Sequence, residues 1–193
     1  MLLGFKRAII QPFDKDGKPD GDRITIEGAD GEGATQEASI SGLAAEPVKI
    51  YGSDIVYYVV QKGVGEPQIE FKFIDMPQDE NARILGYKKG PAPVGGYFIG
   101  EDTQPPYCGV VMESCNAKGE TAIYGAFKGK FSKSDIALKT KEGGQPEPEG
   151  QSYTFALVSS TKDGDTKGQS VFEWFGKEND ADEVRDLVLG EVI

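Results

Sequence analysis

The 193-residue chain contains no histidine. That absence removes Ser-His-Asp and Cys-His catalysis, histidine-ligated zinc, the facial iron triad and any histidine pH switch. Cysteine is almost absent too: Cys108 and Cys115 are the only two. Two cysteines without histidine cannot build a structural zinc site. On one strand, residues at this spacing point to opposite faces and lie too far apart to bridge. Two free thiols in a reducing compartment are therefore expected. No apolar run approaches the roughly 20 residues of a membrane span. In the segment 1–7 (MLLGFKR) the basic residues follow the apolar ones, the reverse of a signal peptide, so assembly in a cytoplasm is expected. Positive charge is scarce: 21 Lys and Arg face 32 Asp and Glu, a net charge of −11. Duplex DNA affinity comes mostly from neutralised phosphates, so a sequence-specific DNA binder is disfavoured. Such a surface repels polyanions and stays soluble at high concentration.

What the chain has in plenty is breakers, with 26 glycines and 11 prolines. They cut it into short pieces, which argues for strands joined by turns and against a helix bundle. The length suits one domain, 1–193, able to bury about 70% of its unfolded surface. Glycine- and proline-rich loops are expected at 27–36, 88–106 and 141–150. Strands are expected at 5–13, 24–26, 36–40, 47–51 and 55–60, the last an unbroken Ile-Val-Tyr-Tyr-Val-Val run. In 67–74, Ile69, Phe71 and Phe73 alternate with Glu70 and Lys72, the signature of a half-buried antiparallel strand. A helix is expected over 77–85, with Asp75 as its cap, Gln78 at the capping-box position and Gly86 as its left-handed end. Tyr97, Phe98 and Ile99 form an apolar island. Further strands are expected at 107–114, 121–131, 151–159 and 170–175, with 136–140 extended. Gly125 and Gly129 interrupt the second of these, marking a bulge or a close backbone approach. A second short helix is expected over 180–190, capped at Asn179, with Ala181, Val184, Leu187 and Val188 as its apolar stripe.

The fold class that follows is mainly β: an antiparallel β-sandwich or barrel flanked by one short α-helix, with a short C-terminal helix. Its core faces should be Ile69, Phe71 and Phe73 with Tyr153, Phe155 and Leu157, under Ala82 and Leu85.

Apparent motifs dissolve on inspection. Loops starting at Asp14 and Asp163 open like calcium loops, but Lys18 and Lys167 stand at the fifth position and neither has glutamate at the twelfth. Gly28, Gly31 and Gly33 surround Asp30 and Glu32, acids that would repel a phosphate. Ser159 to Lys162 matches Ser-x-x-Lys, but at a strand end rather than at the start of a helix. No catalytic residue, cofactor or metal ligand is expected.

Several stretches, in order, resemble the major tail protein, or tail tube protein, of long non-contractile tailed phages of Gram-positive bacteria. They are the strand leading into the helix that ends at Gly86-Tyr87, then Gly95-Gly96-Tyr97-Phe98-Ile99-Gly100-Glu101-Asp102. Next come 104–114 (QPPYCGVVMES), 121–131 (TAIYGAFKGKF) and 153–157 (YTFAL) with its following turn and strand; the opening Gly4-Phe5-Lys6-Arg7 is similar as well. The resemblance implies a structural virion protein without enzymatic activity. Its copies would join sheets edge to edge in hexameric rings, and the rings would stack into a tube around a tape measure protein. The genome would leave through the lumen without specific binding, and no membrane would be involved. Within this picture, the acidic 27–36 loop, with Asp30 and Glu32, is the expected inter-ring contact. The competing reading is a monomeric β-sandwich module binding carbohydrate or another ligand through exposed aromatics, with Tyr57, Tyr58, Tyr97, Tyr107 and Trp174 as candidates.

Overall fold

Strands form where β-branched and aromatic residues crowd between glycine and proline breakers. The computed structural model describes residues 2–136, 138, 140 and 150–190. Its elements in chain order are β1 (Leu2–Pro12), β2 (Ile24–Ile26), β3 (Ala34–Ser41), β4 (Val48–Gly52), β5 (Ile55–Val60) and β6 (Gln68–Ile74). Helix α1 (Gln78–Leu85) follows, then β7 (Lys88–Lys89), β8 (Tyr97–Phe98), β9 (Cys108–Asn116), β10 (Thr121–Ser132), β11 (Gln151–Leu157) and β12 (Val171–Gly176). A 3₁₀ turn (Glu178–Asp180) leads into α2 (Ala181–Leu189). Of the stretch expected to be extended, residues 137 and 139 lie outside the described residues, as does 141–149 of the acidic loop.

Eight strands make one antiparallel sheet in the order β2-β1-β9-β10-β11-β6-β3, with β12 also on β10. Strand β10 is shared. Residues 121–126 pair with β12 and residues 129–132 with β11. The register against β9 slips between Ala126 and Gly129. Both interrupting glycines are explained by space. A Cβ at Gly125 would meet Val188 Cγ2 of α2 at 2.5 Å, and one at Gly129 would meet the Ala156 carbonyl at 2.5 Å. The sheet curls until β3 returns over β1, where the Thr35 hydroxyl donates to the Phe5 carbonyl at 2.7 Å. It does not close, so of the two architectures expected, the barrel is excluded.

Alternation along the strands sends apolar side chains to two sides. Ile10, Ile26, Ile69, Phe71, Phe73, Phe131, Tyr153 and Phe155 fill the concave side with Ile84 and Leu85 of α1. The expected core faces are buried there, and Ala82 is buried as well. On the convex side Ile9, Val111, Ile123 and Phe127 meet Ala181, Val184, Val188 and Leu189 of α2. Over β3, β6 and β11 the convex side is polar instead, with Glu37, Ser39, Glu70 and Ser152 exposed.

Three helix details differ from expectation. Pro77, not Asp75, is the residue before α1, and its carbonyl accepts the Asn81 N–H at 2.9 Å. Proline disfavours helical backbone just before it, so the helix cannot start earlier. Asp79 and Glu80 place negative charge at the helix's positive end instead. At the other end Gly86 is left-handed (φ 67°), as expected. In α2 Leu187 is exposed and Leu189 is buried in its stead, because Leu187 stands about 100° round the helix from the stripe's centre. Asn179 lies within the 3₁₀ turn, and Asp180 precedes α2 without a side-chain cap.

Candidate assembly surface

Strands β4 and β5 form a hairpin separate from the main sheet. Gly52 opposite Ile55 closes a two-residue turn, in which Ser53 (φ 50°) and Asp54 (φ 63°) are both left-handed. Positive φ at both central residues matches the right-handed twist of the flanking strands. Every residue of the two strands except Gly52 is exposed, Tyr57 by 76%. Nine of them are large and apolar: four valines, two isoleucines and three tyrosines. Together they form an exposed, largely apolar surface on both faces of the hairpin, of the kind that marks an interaction site. A lone two-stranded hairpin is at best marginally stable in water.

The hairpin is carried on a two-chain stalk. Gly65 N–H donates to the Gly42 carbonyl at 2.9 Å, and the Gln61 amide to the Ala45 carbonyl at 2.8 Å. At its root the chains touch closely: a Cβ on Gly42 would sit 2.0 Å from the Glu66 carbonyl oxygen. A second apolar feature lies on the body, a cleft of about 230 Å³ between β1 and β3 lined by Phe5, Ala38, Ile40 and Met112.

The expected contact residues sit elsewhere. Asp30 and Glu32 are exposed on a tight turn closed by Gly28 N–H to the Gly33 carbonyl at 2.9 Å. Gly33 is buried against the backbone of Asp75 and Met76, so the turn is fastened at its base. The aromatics proposed for a ligand platform are scattered. Tyr57 and Tyr58 lie on the hairpin, Tyr97 on β8, Tyr107 just before β9 under Lys128 and Lys130, and Trp174 on β12. They stand on four separate parts of the fold. The apparent motifs are turns: the Asp14 carboxylate accepts the N–H groups of Asp16 and Lys18, and the Ser160 hydroxyl accepts that of Lys162.

One buried charge cluster escaped the sequence reading. Glu113, 1% exposed, accepts from Arg185 Nε at 2.6 Å and from Arg7 Nε at 2.6 Å. Arg185 also reaches Asp182 at 2.5 Å and Glu178 at 2.7 Å. The Thr121 hydroxyl and Arg185 hold the Glu178 carboxyl below its usual range. The cluster clasps α2 and its 3₁₀ turn to β1 and β9. Its ion pairs run from α2 to β9 through Arg185 and Glu113, from β1 to β9 through Arg7 and Glu113, and within the α2 region through Asp182 and Glu178.

An open sheet, an apolar arm held away from the body and an acidic surface describe a subunit made to be joined. Comparison with curated proteins returns no match. The family model described as phage tail tube protein matches residues 11–192, nearly the whole chain, and the protein therefore belongs to the phage tail tube protein family.

Proposed function

We propose that this tail tube protein assembles into hexameric rings that stack around a tape measure protein, forming the conduit for genome delivery. The observation that carries the reading is the β4–β5 hairpin, an apolar surface too large for a subunit that works alone. The open sheet supports it too, since β2, β3 and β12 each keep one unpaired edge among the described residues, and an unpaired edge is a template for another strand. The polar face over β3, β6 and β11 and the net charge of −11 suit a conduit that must not bind DNA. Assembly takes place in the host cytoplasm, and the product is the tail of the virion. Asp30 and Glu32 lie at the contact between rings.

Copies carrying −11 each repel one another. Assembly should rise with salt as the Debye length falls from about 10 Å at 0.1 M to about 3 Å at 1 M. Electron microscopy of concentrated protein across that range tests the reading: rings and lengthening tubes are expected, and dispersed monomers at every salt would contradict it. Excising residues 29–32 should leave a folded subunit whose rings do not stack. Unchanged tube length would remove the loop from the contact.

A further inference from the structure

A lysine in this chain has acids to spare as partners, since 32 Asp and Glu face 21 Lys and Arg. Lys128 and Lys130 ion-pair with none of them among the described residues. Strand alternation puts the two on one face of β10, with Gly129 turned the other way toward Phe155. Both ammonium groups gather on the Tyr107 ring, 4.7 and 4.6 Å from its centre, and Lys128 also donates to the Thr161 hydroxyl at 3.3 Å. In the turn beyond Thr161, Asp163 is already taken by Lys167 at 2.6 Å. Two like charges held on one ring repel each other, and an arriving anion relieves that repulsion.

The register fixes where this pair stands. Lys130 is opposite Ala156 of β11, Ala156 opposite Gln68 of β6, and Gln68 opposite Ser41 of β3. The acidic turn lies at the other end of the same strands, where Ala34 is opposite Ile74. Gln68 and Ile74 are about 20 Å apart along β6, at about 3.3 Å per residue. Asp30, Glu32 and Asp75 are all exposed at that end.

We propose, resting on the tube reading, that Lys128 and Lys130 are the seat for the acidic turn of a copy in the next ring, whose Asp30 and Glu32 carboxylates they receive. The chain's own turn is fastened at its base against Asp75 and Met76, too far away to reach them. A basic seat at one end and an acidic turn at the other make a heterologous contact that repeats without closing, with every ring pointing the same way. Salt screens the long-range repulsion between copies carrying −11, whereas a partly buried ion pair is screened much less. The contact therefore holds at the salt that lets rings approach.

Lys128→Glu with Lys130→Glu reverses one end, and Asp30→Lys with Glu32→Lys reverses the other. All four residues are exposed or half-buried, so both variants should fold and form rings. At a salt where wild type gives tubes, each alone should lose at least tenfold in tube yield. An equimolar mixture of the two, or one chain carrying all four changes, matches the ends again and should recover most of the yield. Wild-type yield from either reversed variant, or no recovery from matched ends, would overturn the proposal and leave the tube reading standing. Carbodiimide coupling of wild type, which joins an amine to a carboxylate in contact with it, does not depend on the variants folding. Peptides linking Lys128 or Lys130 to Asp30 or Glu32 are expected by mass spectrometry from tubes and not from free subunits. Tubes without those links, or free subunits with them, would overturn the proposal as well. If wild type forms no tubes under any condition, the tube reading itself falls, and this proposal with it.

Discussion

Strands β5 and β6 both carry β-branched and aromatic residues and have opposite fates. In β6, Ile69, Phe71 and Phe73 are buried while Glu70 between them is exposed. In β5 six apolar residues in a row are all exposed. The difference lies in pattern: β6 alternates its apolar residues with Gln68, Glu70 and Lys72, whereas β5 is apolar throughout. A period of two marks a strand that finds its cover within its own chain, with the other face left to solvent. An unbroken run asks for cover on both faces, and among the described residues that cover lies on either side of β1, β9 and β10, between α1 and α2. None of the described residues covers β5.

The widest separation between the two strands should be seen in stability. Phe71→Ala should cost about 3–5 kcal/mol in chemical denaturation, from lost burial and the cavity left behind. Tyr57→Ala should change it by less than about 0.5 kcal/mol, while reducing tube formation. A large loss from Tyr57→Ala would mean that the hairpin belongs to the subunit's own core. Next comes the clasp that holds α2 over the body. Glu113→Ala strands two guanidinium groups beside a buried site and should cost about 3 kcal/mol in the same assay. Assembly defects in that variant should follow its stability, in contrast to those of the hairpin variants.

The root of the hairpin joins the two regions. Gly42 has φ +72° and faces the Glu66 carbonyl, so Gly42→Ala should force the stalk's two chains apart. We expect a stability loss of about 1 kcal/mol or more, since a left-handed position disfavours a side chain. The core, measured by near-ultraviolet circular dichroism, should be unchanged, and tube yield should fall sharply because the arm is misdirected. The smallest effect concerns pH. The folded pKa of Glu178 is depressed, first by the Thr121 hydroxyl and then by Arg185. Its contribution is therefore present above the ordinary glutamate range and lost as pH falls through the folded value. Melting temperature should drop slightly more steeply on acidification in wild type than in Glu178→Gln.

Much of the body was legible because its signals are local. Alternation in 67–74 and 153–157 gave the core faces, and Gly86 gave the end of α1. The start of α1 was misplaced because Asp75 carries a capping side chain while Pro77 carries the stronger constraint on the backbone. Leu187 was assigned inward where Arg185 and Leu189 share the buried side. That error also hid the clasp. Residues 181, 185 and 189 lie on one helix face, Arg7 shares a strand face with Ile9, and Glu113 shares one with Val111. An acid and two arginines on apolar faces were a readable sign of a buried ion pair. Both strands of the hairpin are legible, and Tyr57 and Tyr58 stand among the exposed aromatics of the competing reading, but exposure of the whole run is not written in the pattern. Sequence pattern states how many faces a strand needs covered, not which chain will cover them.

The central claim is that β5 completes its burial in the assembly rather than in the subunit. Amide hydrogen exchange over 55–60, compared between free subunits and tubes with 68–74 as internal reference, tests it most directly. The account predicts fast exchange in the free subunit and strong protection in the tube for 55–60, with 68–74 protected in both. Equal exchange of 55–60 in the two states would contradict it.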